Sequence, residues 1–351
     1  MKAHDAAGMP GEIRSAANAA SCDVSSSPGL FDGSSAVFEL VTRFGGASSY
    51  VAADPSCDRF TARGVEGLIP YREGPRCRVA FGDPVCHPDA VDALAEHFRS
   101  ECAKDGRTVI YAAAGEAFAR RCVDRGYAAI EFGEEIVLDP SHDRLSGADG
   151  RELRKKVRRA EREGVTVREH IAQDARLIEV AMRGVAEAWL GAKRGPQACI
   201  APIRGFAPST SRRWFYAASS SRMLGVVSLV RMDARNGWVI EHLFHHPDAP
   251  PGTSEILLTR VLDVIAEEGA THVTFGTAPL AALGRVYGVA PMQAVGARLV
   301  FDTAAKLFGL HGIGRFREKF GVAKREPTFL LFSPSVSALA TYGLVRAFNA
   351  R

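Results

Sequence analysis

The sequence has almost no excess of charge of either sign: 44 Lys and Arg stand against 40 Asp and Glu, a net +4. The molecule as a whole is therefore not a polycation, and any attraction to nucleic acid or anionic lipid has to come from a local patch. A continuous run of the ~18 apolar residues that would cross a bilayer as a helix is missing too. The seven cysteines include no Cys-x-x-Cys and no Cys/His cluster at zinc spacing. This argues for free thiols in a reducing compartment and against a disulfide framework or a metal site. No Gly-x-Gly-x-x-Gly turn follows a first strand, which removes the dinucleotide fingerprint of a parallel Rossmann sheet. Residues 1–35 are rich in Ala, Ser and Gly and lack an apolar core. A disordered tail is expected there, rather than a signal peptide or an anchor.

What is present is length and pattern. With 351 residues and 46% hydrophobic content, the chain suits two packed domains. A short helix is expected from Val37 to Phe44, then strands at Ser49–Ala53, Gly67–Arg72 and Arg78–Gly82. Val91, Leu94, Ala95 and Phe98 share one face of a helix over Pro88–Lys104. A strand (Thr108–Ala113), a helix (Glu116–Arg125) and two strands (Tyr127–Phe132, Glu135–Leu138) complete the first unit. A charged helix at Asp149–Glu163 and a strand at Val165–Arg168 open the second. A helix from Asp174, its N-cap, to Leu190 and a Gly/Pro/Arg-rich loop to Thr210 follow. Strands at Met223–Met232 and Trp238–Phe244 lead to a helix at Thr253–Glu268, a strand at Thr271–Phe275, a helical stretch at Phe301–Lys319 and a strand at Thr328–Phe332. The element order repeats without a residue-level repeat. The expected fold is α/β (α+β): two N-acetyltransferase-like units with mixed, largely antiparallel sheets. Expected boundaries are 36–148, 149–333 for the catalytic unit, and a C-terminal amphipathic helix at 334–351.

Five segments carry candidate chemistry. In Val239–Glu255 a strand delivers Glu241, His242, His245 and His246 to a proline-rich loop, and Gly252 opens a helix. A helix N-terminus suits a phosphate or a developing oxyanion; a rigid turn with an ordinary cap has the same composition. Metal binding by the histidines is disfavoured, because strand alternation splits neighbours between two faces. Thr274–Leu280 ends a strand in small residues of the kind that line clefts. Arg315–Phe320 offers cations to a phosphate or an oxyanion, or else a solvated helix face. From Arg151 to Arg168 eight cations face three acids, enough to track a phosphate backbone or to form a solvent face. Trp189 precedes the Arg-rich loop and fits either the core or a ligand platform.

Several motifs occur together and in order: Gly82-Asp-Pro84, Gly133-Glu-Glu135, Leu153-Arg-Lys-Lys-Val-Arg-Arg-Ala-Glu161, Glu187-Ala-Trp-Leu190, Pro247-Asp-Ala-Pro-Pro-Gly-Thr-Ser-Glu255, Gly276-Thr-Ala-Pro-Leu280 and Phe316-Arg-Glu-Lys-Phe320. On these the chain resembles the C-terminal catalytic domain of bacterial phosphatidylglycerol lysyltransferases, the group that includes the multiple peptide resistance factor. The resemblance runs from about Phe38 to Ser333. It implies a tandem acetyltransferase-like fold and an enzyme, an aminoacyltransferase that moves an aminoacyl group from charged tRNA to a hydroxyl acceptor, phosphatidylglycerol or another lipid or small molecule. It implies no cofactor, no metal and no DNA partner.

Glu241 occupies the family's acidic position, and Lys319 matches a lysine of its last motif. Glu241, His245, Lys319 and Arg317 are thus the expected catalytic residues. Asp248, Gly252, Thr253, Glu255, Gly276, Pro279 and Trp189 are expected to bind substrate. Arg154, Lys155, Arg158, Arg159 and Arg162, with a basic loop at Arg212-Arg213, are expected to hold tRNA. The lipid synthases carry transmembrane helices ahead of this domain and this chain shows none, so a stand-alone cytoplasmic protein is expected, with peripheral contact at the inner membrane face. The rival is an acyl-CoA-dependent N-acetyltransferase, although the loop at Pro250–Gly252 lacks an Arg/Gln-x-x-Gly-x-Gly/Ala pattern. A further rival is a non-catalytic RNA- or membrane-binding module.

Overall fold

The computed structural model describes residues 35–171, 175–192, 206, 209–220, 222–280, 282–307 and 311–349. The expected tail, the Asp174 cap and most of the Gly/Pro/Arg-rich loop lie outside them. Along the chain the first half runs α1 (Ser35–Phe44), β1 (Asp58–Phe60), β2 (Gly67–Gly74), β3 (Cys77–Phe81), β4 (Val85–Cys86), α2 (Val91–Lys104), β5 (Thr108–Gly115), α3 (Glu116–Asp124) and β6 (Ala128–Leu138). The second runs α4 (Arg151–Arg162), β7 (Thr166–Glu169), α5 (Ala175–Ala192), β8 (Arg212–Ser219), β9 (Arg222–Met232), β10 (Gly237–His245), α6 (Thr253–Glu267), β11 (His272–Pro279), β12 (Val286–Tyr287), α7 (Pro291–Leu307), α8 (His311–Glu318), β13 (Val322–Ser333) and α9 (Ala338–Asn349).

The two halves share one sheet, in the order β1-β2-β3-β5-β13-β6-β11-β10-β9-β8-β7. Two neighbouring pairs are parallel, one in each half: β3 with β5 and β10 with β11. Each is joined across a helix, α2 or α6, as a parallel pair requires. The other ladders are antiparallel, so the class is α/β with a mixed, largely antiparallel sheet, as expected. At the centre the last strands are exchanged: β13 pairs with β5 of the first half, and β6 pairs with β11 of the second. β6 and β13 also pair with each other, from Val322–Leu138 to Phe332–Ala128. The expected boundary at 148/149 thus falls between two halves of like element order whose sheet is continuous.

Helices cover both faces. Leu94 and Phe98 of α2 and Phe118 of α3 pack on one face of the first half with Tyr111. On its other face α9 places Ala340, Leu344 and Ala347 against Val79, Ile110 and Ile130. In the second half the largest core joins α4 (Leu153, Val157, Ala160) to α6 (Leu257, Val261, Ile265) over Val227, Leu229 and Ile240. α4 forms because its apolar residues recur at helical spacing while its cations point outward, and it stops at Gly164, whose φ of +75° favours glycine. α5 lies elsewhere, with Met182 and Val185 on Trp214 and Phe244.

Four expectations are corrected. Ala47–Ala53 is a 3-10 turn, not a strand. Tyr127–Phe132 and Glu135–Leu138 merge into the single strand β6, because Gly133 lets the backbone pass between Thr277 and Thr328, where a Cβ would lie 2.7 and 2.8 Å from their side chains. The helical stretch expected from Phe301 begins at Pro291. Arg212 and Arg213 are not in a loop: they begin β8, where Arg213 pairs with Glu169 at 2.7 Å and Glu268 at 2.5 Å.

Candidate acyl-transfer site

β10 and β11 pair for only three residues, Gly237–His272 to Val239–Thr274. Beyond them the strands continue to His245 and Pro279, with no further ladder between them among the described residues. The result is a wedge at their C-terminal ends, where α6 starts and α8 packs on β11. The equivalent strands of the first half stay paired along all of β3, from Cys77–Thr108 to Phe81–Ala112. Among the described residues, the parallel pair that separates along its length is thus the one in the second half.

On the β10 side, a bulge interrupts the register between Ile240 and His242. It defeats strict alternation, so Glu241 and His242 lie together, with Oε2 of Glu241 3.3 Å from Nδ1 of His242. Arg212 of β8 donates to the other carboxylate oxygen at 3.0 Å. Burial pushes the Glu241 carboxyl up, but His242 and Arg212 more than offset this, and its pKa ends below the ordinary value. His242 is itself buried. Its ring stacks on Trp214 at 6.0 Å, and Nδ1 lies 3.0 Å from the Ser228 hydroxyl. Sequence reasoning made His245 catalytic, gave His242 no such role, put Arg212 in a tRNA-binding loop and did not name Ser228; the cross-strand pairing that gathers them leaves no local signal.

The lowered pKa fixes a sign. A carboxylate held below its unfolded value adds stability above that value and loses it as pH falls through the folded one. Glu241→Gln should thus be less stable than wild type at pH 7, and the gap should narrow near pH 3–4, about the ordinary carboxylate range. Urea unfolding at the two pH values measures it; a gap independent of pH would mean that the pairing contributes nothing.

On the β11 side, the register shifts between Thr274 and Thr277 around Gly276, whose φ is +72°. The Gly276 carbonyl accepts from Nη1 of Arg317 at 3.0 Å, and the guanidinium stacks 5.0 Å from the Phe275 ring. Among the described residues Arg317 has no ion-pair partner. Burial holds its pKa down to about 10, with only a partial opposing pull from Glu135. It remains charged at neutral pH, a poorly solvated cation that only Glu135 opposes, and only in part, among the described residues.

At the start of α6, Gly252 has a φ of +101°, and a Cβ there would meet the Lys156 carbonyl at 2.2 Å. That close approach locks the α6 N-terminus onto α4. No side chain caps the helix, and the Thr253 hydroxyl donates to Pro250 O at 2.7 Å. Thr253 N–H also donates to Pro250 O and Ile256 N–H to Gly252 O, which leaves the Ser254 and Glu255 N–H groups without a cap among the described residues. Glu255 is buried and pairs with Lys319 at 3.1 Å, so two expected site residues neutralise each other. His245 is exposed, with Nδ1 3.2 Å from the Ser254 hydroxyl. Asp248 sits on an exposed turn and pairs with Arg222 at 3.3 Å. Pro279 ends β11 opposite Gly133. Trp189 packs its ring 4.9 Å from Phe244.

Along α4, Arg151, Lys155, Arg158, Arg159 and Arg162 are exposed and have no carboxylate partner among the described residues. Arg151, Lys155, Arg158 and Arg162 line an open concavity together with Arg154 and Glu161. Arg154 differs in donating to the carbonyls of Leu145 and Gly147, which anchors the preceding loop. Among the described residues no group of three or more His, Cys, Asp or Glu side chains could hold a metal ion, and no helix is long and apolar enough to cross a membrane.

A family profile described as phosphatidylglycerol lysyltransferase, C-terminal, matches residues 39–332. The lysylphosphatidylglycerol biosynthesis bifunctional protein LysX of Mycobacterium sp. (strain JLS) is 30% identical over an aligned length of 227, gaps included, that covers 60% of this chain and 20% of that protein. The phosphatidylglycerol lysyltransferase of Bacillus subtilis (strain 168) is 24% identical over 260 residues, 72% of this chain and 29% of its own length. The chain thus spans less than a third of either relative. Among solved structures, L-PGS from Bacillus licheniformis superposes with a TM-score of 0.76 at 21% identity, covering 92% of this chain and 99% of that one. Sequence and fold agree: the chain belongs to the family of phosphatidylglycerol lysyltransferase C-terminal domains.

Proposed function

We propose that this protein transfers an aminoacyl group from a charged tRNA to a hydroxyl acceptor, with phosphatidylglycerol in a bilayer as the leading acceptor. The observation that carries the proposal is Arg317, a cation without an ion-pair partner among the described residues, at the wedge between β10 and β11. Family membership supports it, and so does the cationic face of α4, a helix whose opposite, apolar side packs on α6.

In the proposed reaction the acceptor oxygen attacks the ester carbonyl and a new C–O bond forms. The bond to the terminal ribose then breaks, and the acceptor proton ends on the ribose oxygen. One ester replaces another, so the step is close to thermoneutral and needs no cofactor to drive it. The protein supplies position and charge. Glu241, ionised at neutral pH, holds the aminoacyl ammonium or takes the proton, and His245 is the second candidate base. Arg317 and Lys319 oppose the oxyanion or the terminal phosphate. The turn and helix start from Asp248 to Glu255, with Gly276 and Pro279 of β11, frame the acyl group, while Trp189 packs on Phe244 of β10. The exposed cations of α4 hold the acceptor stem. A lipid acceptor places the work at a membrane surface, reached peripherally.

The test is to incubate the purified protein with labelled aminoacyl-tRNAs and phosphatidylglycerol vesicles and follow the label into lipid. Transfer that falls for both Lys319→Ala and Glu241→Ala supports the assignment; full activity in both variants rejects it.

A further inference from the structure

α9 is apolar on both sides. One side is seated on the sheet through Ala340, Leu344 and Ala347. The other leaves Leu339, Tyr342 and Val345 exposed at 45%, 54% and 49%. These three recur at a spacing of three residues, which lines them along one face of the helix. α7 seats Ala297 on the same core and exposes Met292 at 86% and Val295 at 69%. An apolar surface of this kind on a water-soluble face marks an interaction site.

Charge indicates which kind. No Asp or Glu occurs from Leu280 to Phe301, or from Pro327 to Arg351; α7 has one acid, Asp302, seven residues or more beyond Met292 and Val295. Arg298 of α7 and Arg346 of α9 are exposed, and neither has an ion-pair partner among the described residues. Apolar side chains with more cations than acids match an anionic bilayer interface, where the aliphatic and aromatic groups enter the headgroup layer and arginines meet lipid phosphates. A nucleic acid would use the cations but leave the five apolar side chains in water.

We propose that the outer surface of α7 and α9 docks this protein on an anionic lipid bilayer. This surface belongs to the first-half core, whereas the cationic face of α4 belongs to the second-half core. The membrane and the tRNA therefore engage different elements. The purpose of this docking rests on the lipid acceptor proposed above; the docking itself is measured without it.

The experiment is sedimentation with phosphatidylcholine vesicles, with and without phosphatidylglycerol, for the full chain and for the variant Leu339→Ser/Val345→Ser. Both positions are exposed, and melting temperature checks that the variant is folded. The expected result is binding to the phosphatidylglycerol vesicles that weakens with salt and falls roughly tenfold or more in the variant. Wild-type protein that ignores these vesicles, or a variant that binds them equally, overturns the proposal. So does a wild-type dimer that the variant dissociates, because a second copy would then be the occupant. Transfer to a short-chain, monomeric phosphatidylglycerol is followed separately. If that transfer fails while vesicle binding behaves as expected, the enzymatic proposal falls and the docking surface stands.

Discussion

Arg317→Met is expected to lower aminoacyl transfer by about 10²–10³-fold, the scale of losing one preorganised partner of a developing oxyanion. The same change should leave stability almost untouched. Arg317 is desolvated, its pKa is depressed to about 10, and its one side-chain hydrogen bond among the described residues is to the Gly276 carbonyl. Keeping such a charge out of water is costly, and methionine fills a similar volume without it. Loss of that hydrogen bond and gain from removing the charge nearly cancel, so the melting temperature should move by no more than about 3 °C. Lys319 behaves differently, because its removal leaves the buried Glu255 without its partner. Initial transfer rates beside thermal melts decide the matter. A variant that is fully active means that Arg317 is a packing residue; one that unfolds means that its role is structural.

The triple change Lys155→Glu/Arg158→Glu/Arg162→Glu should weaken tRNA binding by roughly 10²–10³-fold near physiological salt, and flatten the dependence of log affinity on log salt by about 2–3. All three side chains are exposed, and α4 is held by Leu153, Val157 and Ala160 on its other side. The fold should survive. Arg154 is excluded because it anchors the loop at Leu145 and Gly147. Filter binding across a salt series measures both quantities. Unchanged affinity and slope would move the tRNA surface away from α4.

Much of the scaffold was legible because it is local. α2, α4 and α6 announce themselves by apolar stripes, and Gly126, Gly164 and Gly269 mark helix ends where φ is positive. The candidate loop, Gly252 and the cationic helix could be named for the same reason. What escaped was whatever depends on a partner far along the chain. β8 begins Arg-Arg after a Pro/Gly-rich stretch and looks like a basic loop; the acids that neutralise it, Glu241, Glu169 and Glu268, lie 29 to 55 residues away. The alternation rule, used against a metal at the histidines, puts Glu241 and His242 on opposite faces, and the bulge that brings them together shows only in the register against β9. The resemblance named Glu241 and Lys319, but not that Arg212 and Glu255 already neutralise them.

The exchange of β6 and β13 also sets a timetable for synthesis. The inner edge of β5 is closed by β13, whose first residue, Val322, is made roughly 200 residues after Thr108. At ordinary elongation rates, that edge and the apolar side chains around it wait about 10–40 s on the ribosome for their partner. Unpaired edges are sites of aggregation. The first half therefore emerges as an unfinished sheet, and its completion waits for β13, the last of the described strands.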